Sequence, residues 1–306
     1  MNSIIKAEFY KQYKSKYNFF FLIFIILCIA VSGVELFIHS SSDWKKDLKE
    51  NIDSDERLLS TIDNKDSIYY FEIDKKVKLN NYALKNNIPP FEEHNFLGFI
   101  MKNINMCLMI GAYSVYFSSN SISKEYQLGT FEFLFIRPYN KKKILIGKFM
   151  FILIYTLFLF CFLFLFSTLI GLVIHGFDFN NLKFTDFEND KIIEKNGLTV
   201  VTYTYIMYYL SSISYASLAF MLSNIFKTGG IPFSITMLSM LFGQNLIHSL
   251  PVWIYELSLF SNASSLTRST TLGESVNSIV ILILYIIVFL LISIYFFEKN
   301  KDSIKN

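Results

Sequence analysis

The chain has 306 residues, of which 53% are hydrophobic, 18% aromatic and only 17% charged. A soluble domain carries about 25% charged residues, so lipid is the expected solvent for much of this chain. The net charge of +3, with no basic stripe interleaved with aromatics, excludes nucleic acid as a partner. Cys28, Cys107 and Cys161 stand alone in apolar runs, without metal-ligand spacing, which excludes a zinc site and a disulfide framework.

Residues 1–17 precede the first apolar run. At 100° per residue Ile5, Phe9, Tyr10, Tyr13 and Tyr17 share one side, and Glu8, Lys11, Gln12, Lys14 and Ser15 the other. This pattern predicts an interfacial amphipathic helix lying among lipid headgroups, with Lys6 and Lys16 snorkelling from its flanks.

Six runs are long enough to cross a hydrocarbon core of roughly 30 Å: Phe19–Phe37, Phe96–Phe117, Ile144–Ile174, Thr202–Ile225, Ile231–Leu250 and Val276–Phe297. The first lacks a small-residue cleavage pattern and reads as an uncleaved span. The third exceeds what a bilayer needs and is expected to start at the interface or tilt. Gly229–Gly230 are expected to make the tight turn between the fourth and fifth, with Pro232 in the first turn of the next helix. The fold class is therefore an all-α integral membrane protein of six transmembrane helices, one transmembrane domain over residues 1–306.

Lys and Arg set the orientation. With the N-terminus inside, Lys6, Lys11, Lys14, Lys16, Lys124, Arg137, Lys141, Lys142, Lys143 and Lys148 lie on the cytoplasmic side, as do Lys227, Lys299, Lys301 and Lys305. Only Glu8, Glu125, Glu132, Glu298 and Asp302 oppose them. The topology is N-in, C-in. Residues 40–95 then form an outer element with helix-like character near Trp44–Leu59, and Gly176–Val201 an acidic outer loop. The apolar Pro251–Ser275 connection suits short helices dipping into the outer interface, and Asn262-Ala263-Ser264 matches a glycosylation acceptor.

Polar residues inside spans are either pathway lining or helix–helix glue. The candidates are Asn103 and Asn105, beside Lys102 in the second span, and Gln244, Asn245 and His248 in the fifth. A phosphate-binding loop is absent: Gly147-Lys148 lacks the upstream glycine and the hydroxyl residue. Protease motifs are absent as well, so no catalytic residue is assigned.

Between the second and third spans lies Ser121–Met150. Ser121–Ile136 is expected to form a short surface helix, capped by Ser121 or Ser123, with Glu125, Gly129 and Glu132 on one face. Gly129 inside a helix suggests close approach of a partner. Leu128 supplies an apolar contact, and Glu125, Gly129, Thr130, Glu132 and Leu134, then Pro138, Lys141–Lys143, Ile144, Gly147 and Lys148, resemble the first cytoplasmic loop of ATP-binding-cassette type-2 exporter permeases. In that family a Glu-x-x-x-Gly-Thr-x-Glu-x-Leu element is followed by Pro, basic residues and Ile-x-x-Gly-Lys.

The resemblance implies that residues 121–137 are a coupling helix seated on a separate ATPase subunit, present in two copies and holding the ATP and Mg. This chain would need no cofactor itself. A second permease, identical or a sister, would complete the assembly in a bacterial cytoplasmic membrane, with the second and fifth spans lining the path. The bias toward Lys, Asn, Ile and Phe suggests an AT-rich bacterial genome, where the cargo would be an amphipathic peptide such as a lantibiotic, or a drug. Lipid, polysaccharide and sodium are left open. Two rivals belong to other classes. A stand-alone sensor or immunity protein would bind a toxin through residues 40–95, and a secondary transporter is disfavoured by the lack of midplane carboxylates.

Overall fold

The computed structural model describes residues 2–39, 44–62, 68–89, 91, 95–129, 141–176, 183–188, 191–247, 251–268 and 272–302. Six of its helical segments are long and apolar enough to cross a membrane: Lys16–Ile38, Phe96–Gln127, Lys141–His175, Gly197–Phe226, Gly230–Ile247 and Ser275–Lys299. The chain clusters into two compact units.

The first unit comprises residues 1–25, 104–163 and 203–306. It holds helix α1 (Asn2–Tyr13), the start of α2 (Lys16–His39), the helix Met106–Gln127 and the first part of the helix Lys141–His175. The rest of it is built on a long helix, Gly197–Phe226, whose inward face is small and polar. Ser212, Ser214, Ala216, Ser217, Ala219 and Ser223 are all buried. Leu238, Leu241, Leu246, Val280 and Leu284, on other helices of this unit, are exposed. Such a distribution is the reverse of a water-soluble bundle and suits lipid, where small residues let helices approach closely. The Ser223 hydroxyl, for example, donates to the Ser119 carbonyl at 2.8 Å.

The second unit comprises residues 26–103 and 164–202. Helices α3 (Trp44–Thr61) and α4 (Ile68–Asn86) pair around Ile52, Ile73 and Val77. Helix α5 (Phe96–Lys102) is capped by the Asn95 side chain, which accepts from the Gly98 amide at 2.7 Å. The Gly176–Val201 stretch, expected as a loop, contains an antiparallel hairpin of β1 (Lys183–Glu188) and β2 (Lys191–Asn196). Lys75 of α4 and Lys195 of β2 both reach Asp186 of β1, at 3.3 and 3.0 Å. The protein is therefore not purely helical.

Three local expectations are corrected. Past α5 and a 3-10 turn at Asn103–Asn105, α6 (Met106–Gln127) runs without a break well beyond Phe117. Ser121 and Ser123 therefore sit inside α6 rather than capping a new helix, and Ser123 bonds back to the Ser119 carbonyl at 2.7 Å. Gly129 ends this helix at φ +65° instead of lying within one, and a side chain there would meet none of the described residues within 4 Å. Third, α8 (Gly197–Phe226) is joined to α9 (Gly230–Ile247) through Lys227, whose φ is 57°. The left-handed residue is thus Lys227 rather than either glycine. Gly229 leaves room for the Asn120 side chain, whose Oδ1 would lie 2.6 Å from a Cβ there and would have to move aside.

Beyond α9, the Pro251–Ser275 connection forms α10 (Val252–Leu257) and α11 (Leu259–Arg268). Asn262 is buried there, its amide donating to the Glu256 and Ser258 carbonyls at 2.7 Å each, so the glycosylation match serves as a structural cap.

Two glycine substitutions separate conformational from steric demand. Gly129→Ala is expected to cost about 1 kcal/mol through left-handed strain alone, partly recovered by Gly129→Asn. Gly243→Ala places a methyl 2.7 Å from the Phe260 ring and is expected to cost roughly 1–3 kcal/mol as overpacking. Melting temperatures of the purified variants test both.

Candidate functional site

In α1, Ile4, Glu8 and Lys11 are spaced i, i+4, i+7 and so share one face. In α6, Ser121 and Glu125 are one turn apart. In α7 (Lys141–His175), Ile144, Gly147, Lys148 and Phe151 form another such stripe. These three stripes meet. Ile4 covers Gly147, where an added Cβ would lie 3.1 Å from its Cγ2. Phe9 packs edge-on against Phe151, with ring centres 4.7 Å apart.

Lys148 lies at the centre, its side chain 3% exposed. Its Nζ donates to Glu8 Oε1 at 2.7 Å, to Glu125 Oε1 at 2.7 Å and to the Ser121 carbonyl at 3.1 Å. An ammonium has three N–H donors, and all three are used. Lys11 approaches the same two carboxylate oxygens from the rim, at 3.1 Å from Glu8 and 3.4 Å from Glu125. Burial alone pushes the Glu8 carboxyl up. The Lys148 and Lys11 charges and their hydrogen bonds outweigh burial and hold it below its ordinary 4.5.

Beside this cluster opens a cavity of about 650 Å³ between α1, the start of α2, α6 and α7. Tyr17, Tyr113, Tyr116, Lys11, Gln12 and Lys124 are among the residues that line it. Tyr113 donates to the Asn18 side-chain oxygen, and Asn18 donates to the Gln12 carbonyl at 2.9 Å, which ties the first turn of α2 to both neighbours.

Within α1 one residue departs from the sequence reading. Glu8, on the polar side, is buried, while Lys11 on that side stays largely exposed, as do Tyr10 and Tyr13 on the other. The physical reason is Lys148, whose buried charge demands carboxylates and draws Glu8 inward.

The predicted coupling residues are only partly described. Glu125 is buried against Lys148 rather than displayed on a surface helix, Leu128 is 74% exposed, and Gly129 terminates α6. Thr130, Glu132, Leu134 and Pro138 lie outside the described residues. The proposed path residues do not act alike. Asn103 is buried and donates to the Phe99 carbonyl at 2.8 Å, whereas Asn105 is exposed at the start of α6 without a side-chain capping bond. Gln244 accepts from Ser264 at 2.7 Å and donates to the Tyr255 hydroxyl at 3.3 Å, which fastens α10 and α11 to α9. Asn245 is exposed, and His248 lies outside the described residues.

The Glu8–Lys148 pair was missed by sequence reasoning, which counted Lys148 among the cytoplasmic-side cations. A signal was present. Lys148 is the one charge within the run Ile144–Ile174, and an intramembrane lysine needs a partner.

A family profile described as protein of unknown function (DUF2705) matches residues 58–303. The uncharacterized protein YhcI of Bacillus subtilis (strain 168) is 25% identical over a 275-residue alignment that covers 85% of each chain. No solved structure matches.

Lys148→Met leaves two buried carboxylates without their central cation and is expected to destabilise the protein by about 3–5 kcal/mol. The Glu8→Gln/Lys148→Met double variant is expected to recover part of that loss in a double-mutant cycle. The depressed Glu8 group contributes stability that is fully present above pH 4.5 and is lost as pH falls through its lowered value. Melting temperature should therefore drop in that acid window for wild type, and Glu8→Gln should lack this component.

Proposed function

This chain belongs to the DUF2705 family, and we propose that it is the membrane permease subunit of an ATP-binding-cassette exporter in a bacterial cytoplasmic membrane. On this reading it crosses the membrane six times with both termini inside, is itself non-catalytic, and works with two copies of a separate ATPase and a second permease. Amphipathic peptides or drugs are the proposed cargo.

The observation that carries the reading is the 2.7 Å contact of Glu125 with Lys148. Both residues belong to the resemblance, and they join the end of α6 to the start of α7. Glu8 adds α1 to the same junction at 2.7 Å. A loop strung between helices joined in this way gives a soluble partner one place from which to move three elements together. Lys142 of α7 also meets Glu298, in the last turns of α12 (Leu272–Asp302), at 3.5 Å. That contact supports placing both termini on the side of the loop.

A second reading, a membrane sensor or immunity protein, draws on the α3–α4 pair and its bridged hairpin, a folded element with its own core. Co-purification separates the two. The tagged chain should bring down the ATPase encoded beside it. Glu132→Arg should lose that ATPase, and Lys148→Met should retain it with hydrolysis no longer responsive to the permease. If wild type recovers no ATPase, or Glu132→Arg recovers as much as wild type, the exporter reading fails and toxin binding by residues 40–95 becomes the reading to test.

A further inference from the structure

The cavity beside the Glu8–Lys148–Glu125 cluster has chemistry that the exporter reading does not use. Glu8 and Glu125 are balanced by Lys148 and Lys11. Lys124 is thus left as the cation in excess among the lining residues. Its Nζ lies 5.9 Å from the centre of the Tyr116 ring, which holds the head of this exposed side chain against the cavity wall. The opposite character is also present, since Tyr17 lines the cavity while 76% exposed, and Leu128 lines it while 74% exposed. Exposed Tyr10, Tyr13, Phe19 and Phe20 flank Tyr17 in sequence. Such an aromatic cluster marks headgroup depth in a bilayer. A volume of about 650 Å³ falls within the range of small-molecule sites, roughly 300–1,000 Å³.

A ligand matching these walls needs a negative head, polar groups around it and an apolar body leaving through an aromatic mouth. We propose that this cavity binds the headgroup of an anionic phospholipid from the leaflet on the N-terminal side, with Lys124 facing the phosphate. Gln12 supplies polar contacts, and Tyr17 with Leu128 borders the acyl chains. This inference stands on the six membrane-length helices and does not require an ATPase partner.

The test uses the full chain purified in a neutral detergent, followed by thermal melting. The probes are dioctanoyl phosphatidylglycerol, dioctanoyl phosphatidylcholine and glycerol phosphate. Phosphatidylglycerol is expected to raise the melting temperature saturably, and the other two to leave it unmoved. Lys124→Gln should weaken the apparent affinity about fivefold, the usual worth of one basic residue near anionic lipid. Lys124→Arg should restore it, and Lys14→Gln, which removes a charge outside the cavity, should leave it unchanged. Any of four outcomes overturns the proposal. These are no shift with phosphatidylglycerol, an equal shift with phosphatidylcholine, a shift reproduced by glycerol phosphate (a soluble ligand), or equal losses in Lys124→Gln and Lys14→Gln (diffuse surface attraction).

Discussion

The burial of one ammonium group sets the terms for its surroundings. Taking an ion out of water costs several kcal/mol even after relaxation, and Lys148 is nearly inaccessible. That cost is tolerable only because all three N–H donors find oxygens from two different helices, α1 and α6. Each oxygen comes with its own requirement. For Glu8 to reach Lys148, α1 must lie close along α7, and that approach needs Gly147, because a methyl there would press on Ile4. The Ile-x-x-Gly-Lys element can therefore be understood physically as the docking surface for α1. Ile144 is buried, Gly147 admits the helix, and Lys148 holds it.

Elsewhere in the first unit, packing relies on small size rather than on charge. Helix α8 buries serines at 211, 212, 214, 217 and 223. In water such a face would gain little from burial. In lipid, apolar side chains gain nothing by leaving the tails, so close backbone approach and hydroxyl bonds supply the cohesion. Gly111 fits this logic, since a Cβ would meet the Ser212 hydroxyl at 3.0 Å. Larger apolar residues then fill what the small ones leave, with Val115, Met207, Tyr215, Leu266 and Leu282 forming a common cluster.

The six long helices were legible because a run of about 20 apolar residues has few other uses. Continuation of α6 beyond Phe117 was not. Ser118, Ser119, Ser123 and Glu125 read as polar and therefore surface, yet all are buried, because they face protein rather than water. The same error of sign hid Glu8. Amphipathic periodicity finds two faces of a helix, and it assumes that every residue of the polar one meets solvent. Where a neighbouring helix carries a buried lysine, a carboxylate of that face packs instead. The β1–β2 hairpin was missed for a different reason. The Lys183–Asn196 segment carries acids and lysines throughout, and its charged Asp186 is held by partners distant in sequence, such as Lys75.

The end of α6 bears on how force could pass through the exporter proposed above. A separate surface helix would act as a hinged lever, able to tilt without moving the spans. Here residues 121–127 belong to the spanning helix itself, and Gly129 is the first residue to leave its path. The loop therefore starts and finishes on helices clamped to each other through Glu125 and Lys148. Prying them apart would strand buried charges at about 3–5 kcal/mol, so a push on the loop would move α1, α6 and α7 as one body more cheaply than it would separate them. A ligand or partner can shift such an equilibrium only by its difference in affinity for the two positions. For a rigid body of this kind, that difference has to arise where α1, α6 and α7 slide against the remaining helices, along serine-lined contacts such as Ser119 with Ser223.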